Sequence, residues 1–272
     1  MSDLSNEAYL SPPIQRAARL LRHIAEGDSI QNMSRTAREL GINRTTLLRL
    51  LHTLEAERFI EPQGEGWRIG LGLIGLAAQA FFSGDLIQIS VPILTQLAET
   101  LGLSAHLGVL DGTEVVYVVR RTPNHTFASN IRIGSRLPAH AANMGRIILA
   151  HLPFERVERL YACAAMTAVT PQTPANLDEL RARLDAHRAA GLAWSDGSYE
   201  PGISSVAAAV FDATGAPVAA LNVSGQTANF GAAERREQIA RAVLSASQEI
   251  SQRLGWRPAQ SHRVAPSMEL VS

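Results

Sequence analysis

The spacing of apolar residues changes near residue 83, and this change constrains the chain to two structural units. Before residue 83, apolar side chains recur at helical spacing with short interruptions. After it, β-like runs are interspersed with helical stretches. A chain of 272 residues is long for one compact domain and comfortable for two. We therefore predict a small helical unit followed by a larger α+β unit.

The first unit is predicted to contain three helices followed by a β-hairpin. Residues 13–25 carry an apolar stripe with i, i+3/i+4, i+7 spacing. Ser34 can cap a second helix that ends at Leu40, and Asn43 can cap a third helix with a leucine-rich face. Two short β-like runs flank residues 62–66, which contain the proline and glycines of a turn. These elements together predict a helix–turn–helix with a two-stranded wing.

The third helix has the composition of a DNA-recognition helix. If its leucines are buried, its opposite face presents arginine, threonine and histidine side chains. Arginine can pair bidentately with guanine, and threonine can contact a base edge or a thymine methyl group. An arginine on the second wing strand could reach the phosphates of the neighbouring groove. The residues predicted to contact DNA are Arg35, Asn43, Arg44, Thr45, Thr46, Arg49, His52 and Arg68.

The overall charge limits how such a chain could bind DNA. Its 25 acidic residues balance 25 basic residues, all of them arginine, so bulk charge cannot hold nucleic acid. Residues 35–49 nevertheless form a local basic patch, with four arginines and one acid, Glu39. An ordinary three-helix bundle with arginines on its solvated face would show the same pattern. The hairpin directly after the third helix favours DNA binding, and both interpretations stay open on the pattern alone.

The second unit is predicted to be an α+β sheet with helices on one or both sides. Its predicted strands are residues 104–110, 114–120, 127–133, 206–211 and 218–223. Its predicted helices are residues 141–152, 177–190 and 231–254. Between the two units, residues 71–82 are apolar on most sides, as expected of a helix buried against a partner.

The sequence offers little support for an enzyme or a metal protein. Residues 202–206 fail the G-x-S-x-G pattern because Val206 stands at its last position, and the histidines show no i, i+4 pair around an acid. The single Cys163 excludes a disulfide framework and is predicted to be a small buried hydrophobe. No run approaches the ~20 apolar residues of a membrane span, and the first residues lack a secretory signal. We therefore expect a cytoplasmic protein without a metal or cofactor.

Four sequence runs occur in a fixed order: NRTTLLRLLHTLEAERFIEPQGEGWRIGLGL, VLDGTEVVYVVRR, GSRLPAHAANMGRIILAHLP and EPGISSVAAAVFDATGAPVAALNVSG. In this order and spacing the chain resembles the IclR family of bacterial transcriptional regulators over about residues 13–255. The resemblance implies a winged helix–turn–helix domain (1–72), a linker helix (73–84), an α+β effector-binding domain (85–255) and a loose tail (256–272). It also implies homodimers, often paired into homotetramers, on palindromic promoter DNA.

Two shorter motifs are similar to one branch of this family. They are Met-Gly-Arg at 144–146 and Ala-Leu-Asn-Val-Ser at 220–224, and the branch controls protocatechuate, 4-hydroxybenzoate and β-ketoadipate catabolism. The family's pocket then implies backbone N–H groups of Asn143 and Met144 facing a carboxylate at a helix N-terminus. The effector residues carried over from the family are Leu137, Asn143, Met144, Ser195, Tyr199, Ser205, Asn222 and Ser224.

The predicted pocket departs from the family in having fewer acids. Ser195 and Ser198 stand where many relatives carry Asp and Glu, so an anionic effector should be better tolerated. Tyr199 could stack on an aromatic ring. The hypothesis is a DNA-binding regulator that responds to a small, aromatic carboxylic acid. The alternative is a small-molecule-binding enzyme or sensor whose helical domain only dimerises.

Overall fold

The computed structural model describes residues 10–27, 30, 32–82, 85–123, 131–197 and 199–257. The chain divides into two compact units, Met1–Gly84 and Asp85–Ser272. The first unit has the predicted helix–turn–helix and wing. Its elements are α1 (Pro12–Ala25), α2 (Met33–Glu39), α3 (Arg44–Ala56), β1 (Ile60–Gln63), β2 (Gly66–Ile69) and α4 (Leu71–Phe82).

Asparagine side chains cap the two helices of the helix–turn–helix. Asn43 accepts a hydrogen bond from the Thr46 backbone N–H at 2.7 Å, so the predicted cap of α3 is confirmed. The predicted cap of α2 was wrong. Asn32, rather than Ser34, accepts from a backbone N–H of the first turn, because α2 begins at Met33 and Ser34 already lies inside it.

Two glycines hold the wing close to the end of α3. A Cβ added at Gly70 or Gly72 would lie 2.5 or 2.6 Å from the Arg58 carbonyl oxygen, which is too close for any other residue without a shift of the backbone. Arg58 itself has a φ of 58°, the left-handed region that L-residues rarely adopt. The Gly70-Leu71-Gly72 sequence therefore allows the backbone after the wing to pack against the segment that follows α3.

The second unit is an α+β domain, which confirms the predicted fold class. Its six strands pair antiparallel in the order β5-β4-β3-β8-β7-β6. Its elements are α5 (Asp85–Leu101), β3 (Ser104–Asp111), β4 (Glu114–Arg121), β5 (Arg136–Pro138), α6 (Asn143–Ala150), α7 (Phe154–Tyr161), α8 (Leu177–Ala190), β6 (Ala193–Asp196), β7 (Ile203–Phe211), β8 (Pro217–Gln226) and α9 (Ala233–Arg253).

Helices cover both faces of this sheet. Helices α5 and α9 pack on one face, where Leu221 and Val223 of β8 lie in the core. Helix α6 packs on the opposite face against Tyr117, Ala207 and Ala220, and α7 and α8 pack behind it. Since side chains alternate along a strand, the polar residues of β8 point toward the α6 side. The sheet thus separates an apolar layer from a layer that carries polar side chains.

Several local predictions for the second unit need correction. Residues 131–133 form no strand, whereas 127–130 lie outside the described residues, and the short β5 was missed. Helix α5 was also missed, because Pro92 interrupts the sequence signal in its middle. Cys163 is exposed rather than buried, since it follows the end of α7. Trp256, predicted to begin the loose tail, stacks on Phe211 with ring centroids 5.5 Å apart.

Candidate DNA interface and effector pocket

Helix α3 has one buried face and one exposed polar face. Leu47, Leu51 and Leu54 lie in the core of the first unit, as the leucine spacing predicts. The predicted contact residues of α3 that lie on the exposed side are Arg44, Thr45, Arg49 and His52. This arrangement is the one that lets a helix present side chains to base edges in a major groove.

Some of the predicted DNA-contacting side chains already form contacts within the first unit, and others do not. Arg35 contacts Glu39 at 3.1 Å and Arg68 contacts Glu61 at 2.9 Å, whereas Asn43 is used as a helix cap. Within the described part of the chain, the guanidinium groups of Arg44 and Arg49 form no ion pair or hydrogen bond.

The remaining predicted DNA residues have local contacts of their own. Thr46 is half-buried, and its N–H is bound by the α3 cap. Nδ1 of His52 lies 3.9 Å from the Glu55 carboxylate. On the wing, the Leu71 N–H and then Arg68 hold the pKa of the Glu61 carboxyl below its ordinary value. Glu61 thereby links the wing strand to the start of α4.

The second unit contains a cavity on the α6 side of the sheet. The space between its walls is about 440 Å³, including the open mouth. Every predicted effector residue except Met144 lines it. The lining residues are Tyr117, Ile131, Leu137, Ala142, Asn143, Ser195, Tyr199, Glu200, Ile203, Ser205, Asn222 and Ser224.

Met144 is not among the residues that line the cavity. Its side chain is fully buried, and a Cβ added at Gly108 would lie 2.9 Å from its Cε. The lining residues that the sequence analysis missed include Tyr117 and Ile131. The alternation of β4 could have placed Tyr117 on the same face as Val115, whereas Ile131 reaches the cavity from an irregular segment.

The first turn of α6 borders the cavity. Ala142 precedes this helix and provides no side-chain cap, so the first N–H groups of α6 lack that partner. Among the described lining residues there is no Arg, Lys or His, and Glu200 is the one carboxylate. An anionic ligand would therefore be held by neutral donors and by the positive end of the helix dipole.

A buried arginine anchors the segment that leads into α6. Arg146 is fully buried and donates hydrogen bonds to the Ala141 and Trp194 carbonyl oxygens, at 2.5 and 3.2 Å. Its Nε lies 3.3 Å from Nε2 of His187. Burial lowers the pKa of Arg146 to about 10, and burial together with Arg146 lowers the pKa of His187 to about 4. The neutral His187 can accept from Arg146, so this cluster joins α6, α8 and β6.

The described ranges lack two other kinds of functional feature. Those residues include no group of three or more His, Cys, Asp or Glu that could hold a metal ion. None of the helices they form is long and apolar enough to cross a membrane.

Family models match both units of the chain. The IclR helix-turn-helix domain matches residues 13–64, and the bacterial transcriptional regulator IclR C-terminal domain matches residues 78–252. The chain belongs to the IclR family of bacterial transcriptional regulators. The predicted family is thereby confirmed, and the exposed polar face of α3 belongs to the family's helix–turn–helix domain.

Relatives of known name or structure agree with this assignment. The regulator XynR of Escherichia coli is 30% identical over 242 residues, which cover 87% of this chain and 96% of XynR. The IclR regulator of Alicyclobacillus acidocaldarius is 28% identical, with a TM-score of 0.75, and covers 91% of this chain and all of its own. An IclR homologue of Microbacterium hydrocarbonoxydans, solved with 4-hydroxybenzoate, is 23% identical with a TM-score of 0.78 and coverages of 89% and 98%.

The IclR assignment decides between the functions that the sequence left open. The named relatives are transcriptional regulators and repressors, so the protein is a DNA-binding regulator with an effector-binding domain, not an enzyme. The alternative hypothesis, in which the first unit only dimerises, is not favoured.

Gly145 of this IclR-family domain is expected to tolerate no side chain. A Cβ there would lie 2.4 Å from the Ala139 Cα and carbonyl oxygen, so the Gly145→Ala variant must displace α6 from the segment before it. We expect its free energy of unfolding in urea to fall by about 2–3 kcal/mol.

The matched control is Gly75→Ala, in the exposed part of α4. A Cβ at Gly75 meets nothing within 4 Å, and alanine favours a helix over glycine by up to ~1 kcal/mol. This variant should be neutral or slightly stabilised. Equal stability of the two variants would contradict the close approach of α6 to Ala139.

Proposed function

We propose that this regulator responds to a small aromatic carboxylic acid that binds in the cavity beside α6. The observation that carries the proposal is the combination of lining groups. Neutral hydrogen-bond donors gather at one part of the cavity, and Tyr117, Leu137, Tyr199 and Ile203 provide aromatic and apolar surface. A ligand with a compact anionic group on an aromatic ring matches both kinds of surface.

The carboxylate is proposed to lie at the first turn of α6. The N–H groups at a helix N-terminus and the helix dipole both favour an anion there. Asn143 begins this helix, and the side chains of Ser205, Asn222 and Ser224 line the same cavity from β7 and β8. Hydrogen bonds from neutral donors to a charged acceptor are stronger than those between neutral groups.

The ring is proposed to pack against the tyrosines. Tyr117 is buried and Tyr199 is half-buried at the cavity, where edge-to-face or offset contacts with an aromatic ligand are favourable. Glu200 could accept a hydrogen bond from a ring hydroxyl. The Microbacterium homologue solved with 4-hydroxybenzoate supports the choice of this acid as the first probe.

On the DNA side, we propose that Arg44, Thr45, Arg49 and His52 contact base edges or phosphates. Arg35, Asn43, Thr46 and Arg68 would then position α3 and the wing or contact the DNA backbone. A homodimer or homotetramer would place two such helices on the half-sites of a palindromic operator. Effector binding would shift the population between states of high and low operator affinity.

The test is fluorescence anisotropy on labelled intergenic DNA upstream of the gene. Binding is measured at two salt concentrations, with and without benzoate, 4-hydroxybenzoate and protocatechuate, and against DNA of random sequence. Salt-sensitive, sequence-selective binding that one acid shifts would support the proposal. Titration calorimetry that shows no binding of these acids, together with binding of a sugar acid, would contradict the proposed effector class.

A hydroxyl deletion tests the proposed carboxylate end. Ser224→Ala removes one donor of the cavity, and we expect 4-hydroxybenzoate to bind about 2- to 10-fold more weakly, in line with ~0.5–1.5 kcal/mol for one hydrogen bond. The control Ser245→Ala changes an exposed serine of α9, and the affinity should stay that of the unmodified protein. Titration calorimetry measures both. Equal affinities for the two variants would remove Ser224 from the proposed contact.

A further inference from the structure

A chain of buried polar side chains runs from the sheet to the wall of the effector cavity. Nδ1 of His106 lies 3.0 Å from Oδ1 of Asn222. Nδ2 of Asn222 lies 3.2 Å from Oδ1 of Asn143, and Nδ2 of Asn143 lies 3.0 Å from Oγ of Ser205. His106, Asn143 and Asn222 are at most 4% exposed. His106 itself does not line the cavity, whereas the other three residues do.

A backbone carbonyl sets the direction of every hydrogen bond in this chain. Asn143 places a side-chain atom 3.2 Å from the Ala193 carbonyl oxygen, which can only accept, so that atom must be the amide nitrogen. The Asn143 oxygen then faces Asn222, which must present its own nitrogen. The Asn222 oxygen is left facing His106, and therefore Nδ1 of His106 must carry the proton.

The surroundings of His106 support a neutral ring with this tautomer. Its Nε2 is buried, with no hydrogen-bond partner among the described residues, so a proton there would be an unpaired donor. Burial, with a smaller contribution from the charge of Arg120, lowers the pKa of His106 to about 4. The ring also meets Tyr117 edge-on, with centroids 5.5 Å apart. At neutral pH, His106 thus donates from Nδ1 and carries no charge.

The same logic determines the role of the Ser205 hydroxyl. The two N–H groups of the Asn143 amide are directed to the Ala193 carbonyl and to Oγ of Ser205. Oγ of Ser205 is therefore already an acceptor, and its own proton is free to be donated elsewhere. Because Ser205 lines the cavity, that proton is available to a bound molecule.

We propose that His106 acts as a positioning residue that, together with the Ala193 carbonyl, holds the Asn222–Asn143 amide pair in one orientation, in which the Ser205 hydroxyl accepts from Asn143 and offers its own proton to an acceptor oxygen of the effector. Carboxylate and carbonyl oxygens can accept the Ser205 proton, whereas an ammonium group cannot. The inference rests on the proposed function only in taking the cavity as the effector site. It adds that a residue outside the cavity holds the orientation of the amides that line it.

Two substitutions of His106 test the positioning role. His106→Leu removes the donor to Asn222, and we expect affinity for 4-hydroxybenzoate to fall about ten-fold, because the buried Asn222 oxygen loses its partner and the Asn222 side chain loses one of the two hydrogen bonds that hold it in the cavity wall. His106→Asn places an amide nitrogen close to the position of Nδ1 and should keep the affinity within about three-fold of the unmodified protein. Operator affinity without effector should be unchanged in both, which controls for folding. Unchanged effector affinity in His106→Leu would overturn the proposal.

The ligand end group is tested on the unmodified protein. Titration calorimetry compares 4-hydroxybenzoate with 4-hydroxybenzylamine, which differ in carrying an acceptor or a donor at the same ring position. We expect the acid to bind at least about ten-fold more tightly. Tighter binding of the amine would overturn the proposed polarity of the site.

A measurement without ligand separates this proposal from the proposed effector class. Two-dimensional ¹⁵N NMR of the histidine rings in the full-length protein at pH 7 should show one neutral ring protonated at Nδ1 that disappears in His106→Asn. If the ring whose signals disappear in His106→Asn is instead protonated at Nε2, or at both nitrogens, the proposal is overturned whatever ligand binds. If the Nδ1 tautomer is present and no aromatic acid binds, the proposed effector class fails and the inferred polarity of Ser205 is retained.

Discussion

Replacing Arg44 and Arg49 together with alanine is expected to weaken operator binding strongly while effector affinity stays intact. Both arginines lie on the exposed face of α3, and their guanidinium groups have no ion pair or hydrogen bond within the described residues. A bidentate contact between arginine and a base contributes about 1–3 kcal/mol. Losing two such contacts should weaken binding by at least about 30-fold.

Fluorescence anisotropy on the operator at two salt concentrations measures this loss. If either arginine contacts a phosphate instead of a base, its replacement should also reduce the slope of log affinity against log salt concentration by about one. The matched control is Arg253→Ala, which removes an exposed arginine of α9 that pairs with Glu249. Operator binding by the double variant as tight as that of the control would contradict the assignment of α3 as the recognition helix.

Replacing Arg146 with methionine is expected to give the largest loss of stability in the second unit. The methionine fills a similar volume but cannot donate, so the Ala141 and Trp194 carbonyl oxygens and Nε2 of His187 lose their donor. Each buried acceptor left unpaired costs about 1–3 kcal/mol. We expect the free energy of unfolding to fall by about 3–5 kcal/mol, with some of the cost recovered by favourable burial of the methionine.

Urea unfolding followed by tryptophan fluorescence measures this effect, since Trp194 and Trp256 both lie in the second unit. Arg146→Lys should recover only part of the stability, because an ammonium lacks the planar fork that reaches several carbonyls. The control is Arg181→Met, at an exposed arginine whose guanidinium lies 4.4 Å from the centre of the Phe154 ring. We expect Arg181→Met to lower the free energy of unfolding by no more than about 1 kcal/mol. A loss in Arg146→Met no larger than that of this control would contradict the anchoring role of Arg146.

Caps and amphipathic spacing were the most predictable features, since they depend on residues close together in the chain. Asn43 caps α3 as predicted, and the leucines of α3 form its buried face. The α2 cap was mispredicted because Asn32 and Ser34 are both favourable capping residues. The residue at which the helix begins, Met33, makes Asn32 the cap. Helix α5 was missed because its interior proline interrupts a local signal that burial against α9 outweighs.

The lining of the cavity was predictable only in part. Ser205, Asn222 and Ser224 follow from the family motifs and from alternation along two strands, and all three line the cavity. Tyr117 and His106 belong to β4 and β3, which reach this region because the sheet has the order β4-β3-β8-β7. That order depends on contacts between residues about a hundred positions apart in sequence, such as His106 with Asn222.

The sequence by itself therefore determined the family, the α+β class and the exposed polar face of α3. Each of these depends on residue order, periodicity or local hydrogen bonds, which are present in the linear chain. Only the tertiary structure decided that Arg146 is buried among carbonyl oxygens, that Met144 is buried away from the cavity lining, and that His106 donates to Asn222. The direction of a buried hydrogen bond depends on which acceptor lies opposite it, and strand pairing brings that acceptor from a distant part of the chain.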